Sequence, residues 1–135
     1  MNTKRVFVIA ALLSLTAVIL GAFGAHSLRE VLPTERLESF ETGVRYQFYH
    51  SFALFLTGLF FHHFPGGKLK LASWFFLLGI ILFSGSIYLL SCRDLLGIAS
   101  WSWLGPITPI GGLSFMIGWG LLSLHFFSFK EQLSK

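Results

Sequence analysis

The sequence predicts an all-α fold: an integral membrane four-helix bundle with a short amphipathic interfacial helix between the first two spans. Three observations predict it. Apolar residues make up 54% of the 135 and charged residues only 12%, where a soluble domain carries about 25% charge. Four apolar stretches contain no Asp, Glu, Lys or Arg. Small residues recur in three of those stretches at intervals that bring helices together. A water-soluble chain this short could not cover so much apolar surface with so few charges. Lipid as solvent removes that difficulty, and the whole of 1–135 reads as one transmembrane domain.

The elements follow in order. Val6 to Gly24 is a run of nineteen uncharged residues, roughly 28 Å as a helix, which matches the hydrocarbon thickness. The second span is placed at 48–64, the third at 71–91 and the fourth at 107–129. Backbone groups in lipid must be satisfied within the segment, so each run is a helix. Between spans one and two, Thr34 is the expected N-cap with Glu35 in the first turn. Leu37, Phe40, Val44 and Phe48 then recur at helical spacing, which gives the interfacial helix. "PGGKLK" at 65–70 is a tight turn. The third connection carries Trp101 and Trp103, a residue type that settles at headgroup level. Pro109 suits the first turn of the last helix, where a missing N–H costs nothing.

Charge placement sets orientation and excludes some partners. Lys4, Arg5, Lys68, Lys70, Lys130 and Lys135 fall on one side of a four-span chain, and Arg29, Arg36, Arg45 and Arg93 on the other. The positive-inside rule then puts both termini in the cytoplasm. The ten basic residues are scattered rather than gathered into a stripe, so no nucleic-acid partner is expected. The single cysteine, Cys92, excludes an intrachain disulfide and a multi-cysteine metal cage. It reads as an apolar filler near a helix end.

"GAFGAHSL" at 21–28 looks like a signal-peptidase site after an apolar run. The run is longer than a signal peptide's core, however. Its small residues Ala10, Ser14, Ala17, Gly21 and Gly24 are spaced 4, 3, 4 and 3, a heptad seam along one helix face. Ala72, Gly79 and Ser86 repeat the device in span three, and Gly111, Ser114 and Gly118 in span four. Helices in lipid associate through such close approach, so the first span is expected to be retained as a packing element.

No ionisable carboxylate, Lys or Arg lies inside a predicted span, which argues against coupling to a proton or cation through one. The polar residues left are histidines and hydroxyls. His26, Tyr46, Gln47, Tyr49 and His50 form a candidate cluster, with Tyr46 and His50 at i, i+4. Such a cluster fits a binding or proton-relay site. It fits better a set of interhelical hydrogen bonds that pin the bundle together. Two histidines without further ligands make a poor metal site, and neither a metal nor a cofactor is expected. His62 and His63 snorkel at the inner end of span two, and His125, in heptad step with Gly118, should face the bundle. The chain has no GxSxG, HExxH or phosphate-loop motif, so it reads as a non-enzyme.

"GAFGAHSL" (21–28), "RYQFYHSFAL" (45–54), "LFSGSIYLL" (82–90) and "ITPIGG" (107–112), in that order, resemble the YgdD/YwdK family of small bacterial inner-membrane proteins of unknown function. The resemblance implies a four-helix protein of the bacterial cytoplasmic membrane and assigns no catalytic residue, cofactor or substrate. The leading expectation is a non-enzymatic protein acting through helix packing or assembly, with itself or with a membrane partner. The alternative is a homo-oligomeric transporter or channel for a small or lipophilic solute.

Overall fold

The computed structural model describes residues 2–133, and within them the chain is helical with no strand. Lys135 and the side chain of Lys130, both counted in the charge asymmetry, lie outside the described set. Helix α1 spans Thr3–Ala25, opened by Asn2, whose side chain accepts from the Arg5 N–H. Helix α2 spans Thr34–His63. Helix α3 runs over Gly67–Ser91 and contains a widened π turn at Ile80–Ser84. Helix α4 spans Ile107–Leu133. Three of these helices, α1, α3 and α4, are long and apolar enough to cross a membrane.

Two expectations about α2 need correction. Its N-cap position is taken by Pro33, with no side-chain cap, and Thr34 is already the first helical residue. There is also no separate interfacial helix: Thr34–His63 is unbroken. The amphipathic stretch simply continues, because nothing between Leu37 and Phe48 both breaks a helix and lies exposed. Phe40 and Gly43 are buried, packed against neighbouring helices rather than left facing lipid. Phe40 joins Leu28 and Leu32 in a small apolar cluster beside the chain's first turn, with Tyr88 and Cys92 against it.

The helices pack antiparallel to their sequence neighbours. On α1 and α2, a Cβ added to Gly24 would meet Phe40, one on Gly21 would meet Val44, and one on Gly58 would meet Val6. The paired numbers keep a nearly constant sum, the mark of antiparallel register. On α3 and α4, Gly79 lies against Phe115 and Gly118 against Phe76, while Gly111 sits on the Phe83 backbone itself. The small residues named from sequence therefore line contacts within one chain. Ala17 is 1% exposed, and Ser86 and Ser114 are buried too. The main core gathers Val6, Ala10, Leu54, Phe76, Ile80 and Phe115 from all four helices. The loop after α3 is tied back to α2 by an ion pair between Arg36 and Asp94. Its one positive-φ residue is Gly97, at 69°, where a side chain would be strained.

Candidate functional site

The buried polar network centres on Gln47. The α1–α2 register sets this residue opposite the middle of α1, where its amide donates to the Leu13 carbonyl at 2.9 Å and to Thr16 Oγ1 at 2.8 Å. Its oxygen accepts from the Tyr88 hydroxyl of α3 at 2.8 Å. One side chain thus uses both donors and its acceptor to hold three helices. Gly43 makes room for this, since a Cβ there would stand 2.9 Å from the Tyr88 ring.

One turn further along, His50 is 6% exposed. Its Nδ1 lies 2.8 Å from the Tyr46 carbonyl, and its Nε2 accepts from Trp119 Nε1 of α4 at 3.3 Å. A donor facing Nε2 and an acceptor facing Nδ1 assign the neutral tautomer with its proton on Nδ1. The ring stacks on Phe115, centroids 3.4 Å apart and planes 11° from parallel. Tyr46 stacks over the other part of this group, 5.8 Å from His50 and 4.6 Å from Phe83.

The structure brings together Tyr46, Gln47 and His50, with Tyr49 at their edge, its ring centroid 6.4 Å from that of Tyr46, and leaves His26 apart. Tyr49 is 59% exposed and points away from the helical interior. His26 is exposed at the C-cap of α1. The register explains its absence. Position 26 pairs near position 38 of α2, twelve residues from His50, or roughly 18 Å along the axis. Tyr88, Trp119 and Thr16 are members that the sequence reading did not include. The available signal was chemical: a Tyr and a Trp inside apolar helices need polar partners, and a mid-helix Gln is such a partner.

The two ends of the molecule differ from this centre. At the α2–α3 turn His62 and His63 are exposed, while His125 is 8% exposed and packs so closely on Gly66 that a Cβ there would stand 2.7 Å from its ring. At the other end, burial pushes the Cys92 thiol above its ordinary range, which makes it a poor nucleophile. Trp101 and Trp103 are exposed side by side, ring centroids 5.7 Å apart. Among the described residues, no three or more His, Cys, Asp or Glu gather in a way that could hold a metal ion.

These features define an all-helical protein of the membrane-spanning class, with a buried polar network centred on Gln47 that links three of its helices. The chain belongs to the family described as "Protein of unknown function (DUF423)", whose match covers residues 20–112. It is 43% identical to the UPF0382 membrane protein YwdK of Bacillus subtilis, over 85% of this chain and 90% of that one. It is 38% identical to a UPF0382 membrane protein of Haemophilus influenzae, over 96% and 97%. It is 33% identical to the UPF0382 inner membrane protein YgdD of Escherichia coli, over 98% and 96%. No solved structure matches the chain.

Proposed function

We propose that this is a multi-pass protein of the bacterial inner membrane that acts by binding and assembly, without catalysing a reaction or passing a solute. The observation that supports the reading is the use made of Gln47, whose two amide hydrogens and whose oxygen are bonded across three helices of the chain. A transport path or active site draws on polar donors left open to a ligand, and both donors of Gln47 are committed inside the chain.

All four helices cross in this reading, including α2. Register supports a crossing segment for α2 from about Phe40 to Gly58, opposite Val6 to Gly24 of α1, rather than the 48–64 expected from composition. Its charged first turns then stand among headgroups, with Arg45 snorkelling outward. Both termini face the cytoplasm, and the membrane is that of the relative named as an inner membrane protein. Since the small-residue seams are consumed internally, any assembly uses the outward aliphatic face of α1, where Leu12 is 55% and Ile19 is 57% exposed.

Two measurements test this. With Cys92→Ser as background, Leu12→Cys and Ile19→Cys should crosslink in native membranes, to a second copy or to a partner, while Ala10→Cys should not. Strictly monomeric behaviour of both outward variants would remove assembly. Proteoliposomes loaded with a panel of small solutes should leak no faster than empty ones. Flux abolished by His50→Ala would replace this reading with transport.

A further inference from the structure

We propose that a cleft between the start of α2, the end of α3 and the start of α4 holds the phosphate of a phospholipid headgroup. The inference rests on the four-crossing topology above, which sets this cleft at the membrane surface. Its volume is about 500 Å³, within the range of ligand pockets. Ile87 and Leu90 form an apolar wall, and Arg36, Ser91 and Arg93 supply hydrogen-bond donors. That combination suits an amphiphile: a polar head above and hydrocarbon below.

Ser91 carries the argument furthest. It is 3% exposed, and its hydroxyl has no hydrogen-bond partner, an expensive state for a buried polar group unless a ligand accepts from it. The neighbouring hydroxyls are spent. Thr108 Oγ1 shares a bond with Ser86 at 2.6 Å, and Ser39 donates to the Glu35 carbonyl. The arginines are aimed but not exhausted. Asp94 takes Nη1 of Arg36 and lies 3.9 Å from Nε of Arg93, so one carboxylate orients both guanidiniums and leaves further N–H donors on each. Donors outnumber acceptors in the cleft, where Glu35 is the one lining carboxylate, and that balance suits an acceptor-only group such as phosphate. A free phosphate would leave the Ile87–Leu90 wall idle. Glu35, also on the cleft wall, disfavours extra negative charge and favours a headgroup that carries an ammonium beside its phosphate, as phosphatidylethanolamine does.

The test is native mass spectrometry of the purified full-length chain in mild detergent, titrated with phosphatidylethanolamine. One retained lipid is expected, with retention at least fivefold lower in Ser91→Ala and in Arg93→Gln and unchanged in Arg29→Gln. Ser91→Ala removes an unpaired hydroxyl, so its melting temperature should not fall, and lost lipid cannot be ascribed to lost folding. Equal retention by Ser91→Ala and the parent would overturn the proposal. So would displacement of the lipid by millimolar inorganic phosphate, or tighter retention of phosphatidylglycerol. Topology is read separately, by impermeant maleimide in intact cells on Ser27→Cys and Gly67→Cys, which flank α2, with Cys92→Ser as background. Labelling of both from one side would sink the four-crossing reading without touching the binding result.

Discussion

At the scale of single residues, Gln47 shows how lipid changes the value of a polar side chain. In water a lost hydrogen bond is partly replaced by solvent; in hydrocarbon it is not. Interhelical bonds in membranes average about 0.6 kcal/mol each, because the unfolded state also finds partners. The three bonds of Gln47 therefore predict that Gln47→Leu costs roughly 2 kcal/mol, measured by reversible unfolding in mixed micelles. Tyr88→Phe should cost about a third of that, and combining the two should add little, since the second change removes a bond already lost. Additive losses would show that the pair is not coupled. The sequence made Gln47, His50 and Tyr46 legible as a group because they share one helix and its spacing. It could not reveal Thr16 or Tyr88, which lie 31 and 41 residues away from Gln47 and meet it only through the register of packed helices. His26 misled for the same reason. His26, at the end of the first predicted span, and His50, near the start of the second, look level, but α2 extends well beyond the end of α1.

Among the elements, the seams were readable and the π turn was not. Small residues at heptad steps declare a close-packed face whatever their partner. Gly111 makes the strongest claim, because its neighbour is the Phe83 main chain, which cannot rotate aside. Gly111→Ala is expected to lower stability by about 1–3 kcal/mol, the usual range for overpacking, whereas Gly120→Ala, with open space around it, should melt with the parent. A similar melting temperature for both would refute the close approach. The π turn at Ile80–Ser84 leaves no trace in composition or periodicity. Such a turn absorbs one extra residue while its flanks keep their facing. Deleting the exposed Ile81 should then be tolerated, with Tyr88 still on Gln47. Deleting Leu78 from the regular part of α3 should swing everything after it by about 100° and destabilise the protein at least as much as Gln47→Leu. The melting temperatures of the two deletion variants decide the matter.

For the whole molecule, fold class was legible because a bilayer admits so few backbone solutions. The proposed topology rests on charge-free runs and scattered lysines. What was hidden was depth, the level at which each part of α2 sits against α1, since composition marks where apolar residues are and not what they stand beside. The prediction at this scale is an alternating pattern of access: Ser100→Cys labelled from outside intact cells, and Gly67→Cys labelled only after the membrane is opened. Helix α2, thirty residues without a break, is about 45 Å long, as much as a bilayer measures with its headgroups. It is a stiff strut among shorter ones. In the proposed four-crossing arrangement a thinner bilayer cannot compress it, so the strut would lean and carry the molecule with it, or draw a collar of thicker lipid around itself.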